Sequence, residues 1–167
     1  MCLDLNKPFV FLDIDGVVRG DVSKDLIGRS DCLMSPQCVK ALNAFSEQNS
    51  PNVVISSVRR KIHSLETIKE WFKQAGCNIN IVDTTPVLRG TPYICRGNEI
   101  WAWIDHHVRL YPEKYNSYLD FNRYVILDDS TDMLLNQQSH FLLVDRTIGF
   151  TPIIAHKASL KLRGYQI

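Results

Sequence analysis

At 167 residues the chain has the length of one domain with a sizeable core. Its 45% hydrophobic and 22% charged composition is that of an ordinary soluble globular protein, and a formal charge of +1 excludes global attraction to nucleic acid or anionic membrane while leaving local basic patches open. No stretch approaches the roughly 20 apolar residues that span a bilayer, and Asp4 and Lys7 interrupt any apolar run near the amino end, so neither a signal peptide nor a membrane partner is expected.

The stretch FVFLDIDGVV at residues 9–18 opens as an apolar, β-branched and aromatic run, which predicts a buried strand. Asp13 and Asp15 follow where that strand should end. Residues two apart on an extended strand face the same side, so both carboxylates can aim at one spot, and Gly16 permits a sharp turn after them. Paired carboxylates repel, more so when buried, unless they share a cation or a proton. Residues 19–34 are mixed in charge with little periodicity and read as a loop or small hairpin flap.

Ser35 followed by Pro36 predicts a helix start, and Cys38, Leu42 and Phe45 form its apolar face up to Asn49. Val53, Val54 and Ile55 make a second strand ending at Ser56. Leu65, Ile68, Phe72 and Ala75 recur at helical spacing, with Gly76 placed to end that helix in the left-handed conformation. A third strand is expected at Ile79 to Val82, then a loop through residue 95. A helix capped by Gly97 or Asn98 should run to Val108. Tyr124 to Leu127 reads as a fourth strand, also ending in carboxylates, Asp128 and Asp129. Phe141 to Val144 is a fifth, and Thr151 with Pro152 opens a last helix with Gly164 beyond its end.

Strands alternating with helices imply one α/β domain over residues 1–167, a parallel sheet covered on both faces, with ligands collecting beyond the carboxyl ends of the strands. If the fourth strand lies beside the first, Asp13, Asp15, Asp128 and Asp129 converge there, a good site for a hard cation such as Mg2+. Ser56 can offer its hydroxyl and backbone N–H to an anion at the same crevice. Arg59, Arg60 and Arg96 are candidates for a bidentate grip on phosphate. The adjacent His106 and His107 point in different directions on a helix, which predicts ordinary surface or packing roles, and Trp71, Trp101 and Trp103 sit on helices, where packing roles are expected. The five cysteines are odd in number and lack Cys-x-x-Cys spacing, which argues against a disulfide scaffold or a zinc knuckle and points to the reducing cytoplasm.

FLDIDGVV resembles the first motif of the haloacid dehalogenase (HAD) superfamily, VVISS its second and VILDD its fourth. Arg96, opening a helix before the last acidic strand, stands where the third motif carries Lys or Arg, although lysine is commoner there and Lys114 is a rival. VVISSVRR, TTPVLRGTPYICRGNEIWAWI, YVILDD and VDRTIGFT are similar to the HAD domains of RNA-repair proteins, and polynucleotide kinase-phosphatases carry a similar module. The resemblance implies a Rossmann-like three-layer fold with a five-stranded parallel sheet in the order 5-4-1-2-3. The short intervals between motifs leave no room for a large cap domain.

On the same resemblance Asp13 is the nucleophile that forms an aspartyl-phosphate, and Asp15 is the general acid and base. Magnesium is held by Asp13, the Asp15 carbonyl and one of Asp128 and Asp129, with Asp129 favoured as the direct ligand and Asp128 supporting it. Ser56, Arg96 and Arg59 are the phosphate-binding residues. An uncapped site suits a large substrate, so the resemblance implies a phosphate at a polynucleotide end, most plausibly a 3′-phosphate, with Arg59, Arg60 and Lys61 contacting the neighbouring nucleotides. Alternatives are a small-molecule phosphatase such as a nucleotidase, a phosphoprotein phosphatase, and a non-catalytic binding module.

Overall fold

Short runs of β-branched and aromatic residues, buried along their whole length, form the centre of the sheet: FVFL in β1 (Phe9–Leu12), NVVI in β2 (Asn52–Ile55) and YVILD in β4 (Tyr124–Asp128). Continuous burial is the mark of parallel strands covered on both faces. β3 (Asn80–Thr84) and β5 (Phe141–Leu143) form the edges. The computed structural model describes residues 3–19, 34–90 and 94–167. Every strand pair is parallel, and the order is β3-β2-β1-β4-β5, the order that the resemblance implies.

Four helices cover the sheet: α1 (Pro36–Asn49), α2 (Leu65–Gln74), α3 (Arg96–Leu110) and α4 (Pro152–Leu162). Pro36 and Pro152 stand at their starts as expected. The Thr151 hydroxyl accepts from the Ile154 amide and the Ser64 hydroxyl from Thr67, whereas Ser35 makes no side-chain cap bond. α1, α2 and α4 pack through Leu42, Phe45, Ile68, Phe72 and Ala158 against Val10, Leu12, Val53, Ile55, Val125 and Leu127. α3 covers the opposite face, where Ile100, Trp103 and Ile104 meet Phe9, Phe11, Val54, Tyr124 and Ile126.

The end of β3, the start of α3 and the segment after β2 depart from the sequence reading. β3 continues through Asp83 and Thr84 rather than stopping at Val82, because Val54 and Ile55 remain in register with them and Trp103 Nε1 donates to Asp83 Oδ2 at 2.7 Å. α3 begins at Arg96, two residues before the start that a Gly97 cap implies and three before that of an Asn98 cap, because the Asp132 carboxylate accepts the Arg96 amide at 3.0 Å and caps the helix from a distant loop. A 3₁₀ turn, Val58–Lys61, follows Ser57, whose hydroxyl accepts from the Arg59 amide. Among the described residues no separate cap domain stands over the sheet, and no helix is long and apolar enough to cross a membrane. The expected flap, apart from Arg19 and Met34, lies outside the described residues.

Candidate active site

The register brings the ends of four strands into one row. Leu12 pairs with both Ile55 and Leu127, and Ile55 pairs with Thr84. The ladder runs one residue further, with the Asp13 amide on Leu127 O, the Ser56 amide on Leu12 O and the Thr85 amide on Ile55 O at 2.9–3.0 Å. Asp128, Asp13, Ser56 and Thr85 therefore lie side by side across the sheet. Successive strand residues alternate faces, and these four share the parity of Phe11, Val54, Asp83 and Ile126, so the row belongs to the α3 face.

Arg96, in the first turn of α3, reaches into the row. One guanidinium nitrogen, Nη1, lies 3.2 Å from Asp13 Oδ1 and 3.1 Å from Asp128 Oδ2. Its backbone is fixed by the loop after β4: Asp132 Oδ2 accepts the Arg96 amide, Asp132 O accepts the Gly97 amide, and Gln137 Nε2 donates to Gly97 O. Burial disfavours the Arg96 charge, but Asp13 and Asp128 outweigh it and hold its pKa above the ordinary arginine value. The rival Lys114 is bound to Asn6 Oδ1 at 2.7 Å, beside the start of β1 at the opposite end of the sheet.

Carboxylate oxygens of Asp13, Asp128 and Asp129 all lie within 4.8 Å of one another. Burial and then the Asp13 charge push Asp128 up to about 7, against the pull of Arg96, and the same two causes raise Asp129 against Arg146. Asp128 accepts from the Ser130 amide through Oδ1 and from Arg96 through Oδ2. Asp129 Oδ2 lies 3.5 Å from Arg146 Nε. A Cβ on Gly16, which adopts φ +81°, would fall 2.3 Å from Asp129 Oδ2, so only glycine at this turn lets that carboxylate approach. An all-oxygen cluster of this density suits a hard divalent cation. Asp13 Oδ1 is buried, and beyond its ion pair with Arg96 at 3.2 Å it accepts no well-aligned hydrogen bond among the described residues, which fits a ligand position. The Ser56 hydroxyl, beside it in the row, is buried without a hydrogen-bond partner among the described residues.

Asp15 departs from the expectation that the two motif carboxylates aim at one spot. The strand ends at Leu12, and the amides of Val17, Val18 and Arg19 turn back onto Ile14 O. Asp15 consequently meets a different partner. Arg59 Nε donates to its Oδ2 at 2.8 Å and Arg59 Nη2 to its Oδ1 at 2.9 Å, with Arg19 Nη1 at 3.7 Å from Oδ1.

Arg60 corrects the expectation of a three-residue basic cluster for nucleotide contact. Its side chain is buried and donates to the carbonyls of Ser56, Ser57, Thr85 and Pro86 and to the Glu99 carboxylate. Burial lowers its pKa while Glu99 opposes the shift. Five donors in a rigid fork suit this task of tying two loops to α3. Lys61 is exposed. His107 is buried with Nδ1 2.9 Å from Trp103 O and its ring stacked on Trp103, a packing position, while His106 is exposed at the surface. Trp71 and Trp103 pack against the two cores, and Trp101 lies against Tyr118.

Glu99, Asp132, Gln137 and Arg146 escaped the sequence reading. Glu99 carried a signal, a charge three residues after Arg96 and next to Ile100 on the inward stripe of a helix. Asp132 and Arg146 are loop residues and Gln137 lies in a 3₁₀ turn, and the neighbours of all three depend on tertiary contacts.

The family model described as "HAD domain in Swiss Army Knife RNA repair proteins" matches residues 9–153. No curated protein and no solved structure gives a significant match. The match spans all four acidic and hydroxyl-bearing strand ends that form the row, and the chain belongs to this family of HAD-superfamily hydrolase domains.

Proposed function

We propose that the chain is a magnesium-dependent phosphomonoesterase that works through an aspartyl-phosphate on Asp13. The observation that carries this reading is the row of Asp128, Asp13 and Ser56 under Arg96, in which Asp13 lies against the Arg96 guanidinium and the Ser56 hydroxyl is buried without a hydrogen-bond partner among the described residues. A phosphoryl group would supply oxygens to Ser56 and Arg96 and an electrophile to Asp13.

In the first half-reaction an Asp13 oxygen bonds to phosphorus as the ester P–O bond breaks, and Asp15 gives its proton to the leaving oxygen. In the second, a water oxygen bonds to phosphorus while its proton passes to Asp15, and the bond from phosphorus to Asp13 breaks. Inorganic phosphate leaves and both carboxyl groups return to their starting states. Ser56 and Arg96 hold the phosphoryl oxygens as charge migrates. Magnesium held by Asp13, Asp129 and the Asp15 carbonyl, with Asp128 in support, would supply electrostatic stabilisation of that charge. Arg96 rather than Lys114 takes the third-motif role, given the positions of the two side chains.

The substrate we propose is a terminal phosphate on a nucleic acid, with a 3′-phosphate first. Two features support it: membership of a family described from RNA repair proteins, and the absence, among the described residues, of a cap that would enclose a metabolite. Lys61 and Arg59 lie on the turn after Ser56, where the body of such a substrate would emerge. The test compares kcat/KM for a 3′-phosphorylated oligonucleotide, mononucleotides, sugar phosphates and a phosphopeptide, with an aryl phosphate as reference. The oligonucleotide should lead. A preference of about tenfold for mononucleotides, roughly 1.4 kcal/mol at the transition state, replaces this reading with a nucleotidase. Failure on the whole panel with magnesium present leaves a binding module.

A further inference from the structure

The bidentate bond between Arg59 and Asp15 stands apart from the rest of the site. A general acid must bring one carboxyl oxygen within hydrogen-bond reach of the leaving oxygen. Here Arg59 Nε and Nη2 lie on the two Asp15 oxygens in parallel, at 2.8 and 2.9 Å, with Arg19 beside Oδ1. The carboxylate is turned toward Arg59, and Asp15 is not among the three clustered carboxylates, Asp13, Asp128 and Asp129. A substrate that needs Asp15 has to compete with this fork.

The competitor has a definite chemistry. Arginine binds carboxylate and phosphate by the same two parallel N–H bonds, so a phosphate group can take Arg59 over without loss of geometry. The phosphoryl group being transferred is poorly placed to do so, because Arg96 already serves the buried end of the row. Both members of the pair are reachable from solvent, the Arg59 side chain 26% and the Asp15 side chain 36% exposed, with the exposed Lys61 two residues on. In the phosphatase reading Asp15 serves the leaving oxygen, so the body of the leaving group passes close to Asp15 and Arg59. On a polynucleotide 3′-end, the nearest anion in that body is the next phosphodiester.

We infer that Arg59 is a specificity-determining latch on Asp15, closed in the free protein and opened by a second phosphate one nucleotide from the reacting one. This rests on the phosphatase reading above and adds to it the requirement for a diester neighbour. Substrates without that second anion meet a general acid still held by Arg59, and they turn over slowly even when bound.

The experiment measures kcat and KM with magnesium for wild type, Arg59→Ala and Arg59→Lys. The substrates are an aryl phosphate, a nucleoside 3′-monophosphate, a dinucleotide 3′-phosphate, and that dinucleotide with an uncharged methylphosphonate linkage. Wild-type kcat should rise about tenfold from mononucleotide to dinucleotide, equivalent to roughly 1.4 kcal/mol, and fall back with the methylphosphonate. Arg59→Ala should abolish the rise and increase kcat on the aryl phosphate, because no fork remains to be opened. Arg59→Lys, which keeps the charge without the fork, should also increase the aryl phosphate rate, and it stands in if the alanine variant does not fold. A fork that only supports the structure predicts the reverse, a loss on every substrate. That result, or a diester effect that survives in Arg59→Ala, overturns the latch. A wild type that hydrolyses the aryl phosphate but treats mononucleotide and dinucleotide alike overturns the latch and leaves the phosphatase standing. A wild type inactive on all four takes both down.

Discussion

Val10, Leu12 and Ile14 face α1, α2 and α4, whereas Phe9 and Phe11, alternating with them on the same strand, face α3, and Asp13 continues that second series into contact with Arg96. β4 repeats the division, with Val125 and Leu127 on one side and Tyr124, Ile126 and Asp128 on the other. The first face is an aliphatic core closed by three helices. The second is an aromatic core under a single long helix, and its carboxyl end is a row of polar groups in which the Ser56 and Thr85 hydroxyls are buried without hydrogen-bond partners among the described residues. One strand thus supplies cohesion with one set of residues and chemistry with the alternate set, so the two properties should separate under mutation.

The sharpest separation is expected at Asp13. Asp13→Asn removes the proposed nucleophile and should reduce turnover of an aryl phosphate on the order of 10⁴-fold or more, by analogy with other nucleophile replacements. Without divalent metal the same variant should melt at a higher temperature than wild type, because one of three crowded carboxylates has lost its charge. Full activity in Asp13→Asn would end the covalent mechanism. A lower melting temperature would show that Arg96 compensates the cluster more fully than the distances suggest.

Leu42, buried on α1 in the aliphatic core, should behave in the opposite way. Leu42→Ala should cost about 2–5 kcal/mol in denaturant unfolding, with kcat of the folded protein preserved. Glu99→Ala tests the α3 face by leaving the buried Arg60 charge without its partner, at a cost of about 3–5 kcal/mol. Because Arg60 also ties the Ser56 and Thr85 carbonyls, this variant should lose activity as well as stability. If Leu42→Ala reduced kcat as strongly as Glu99→Ala does, the functional division between the faces would not hold.

Ser56→Ala gives a smaller effect. Its hydroxyl has no hydrogen-bond partner among the described residues, so its removal should change unfolding free energy by less than about 0.5 kcal/mol. Loss of one preorganised donor to the phosphoryl group should lower kcat about 10²–10³-fold. Destabilisation of several kcal/mol with unchanged kcat would identify Ser56 as a packing residue.

The strand ends were legible in the sequence because their signal is local. An apolar run stopping at Asp13, Ser56 or Asp128 marks both the strand and its exit, and period-two alternation assigns each polar residue to a face. Helix starts at Pro36 and Pro152 were legible for the same reason. The fates of the three cations after Ser57 were not. Arg59, Arg60 and Lys61 are adjacent and chemically alike, yet one forks onto Asp15, one is buried against Glu99 and one is exposed. A short 3₁₀ turn sends successive side chains in different directions, and their partners come from residues 39 and 44 positions away. The α3 start was missed by two or three residues because its cap, Asp132, is supplied from a loop 36 residues later.

The smallest expected effect concerns pH and magnesium, and it follows from the carboxylates at the end of the α3 face. Asp128 has a folded-state pKa raised to about 7, first by burial and then by Asp13, and Asp129 is raised for the same reasons. Between the ordinary aspartate range and about 7 the folded protein therefore holds more protons than the unfolded chain. Stability without metal should fall as pH rises through that window. A divalent cation needs these same oxygens deprotonated, so its competition with protons weakens over the same interval. The rise in melting temperature on adding magnesium should accordingly be small at pH 5 and grow steadily to pH 7.5. In Asp128→Asn and Asp129→Asn the pH dependence should flatten, more in whichever residue binds the ion directly. A magnesium shift that is equal at both pH values in wild type would place the ion away from this cluster. The polar end of the α3 face would then owe its crowding to Arg96 and Arg146 alone.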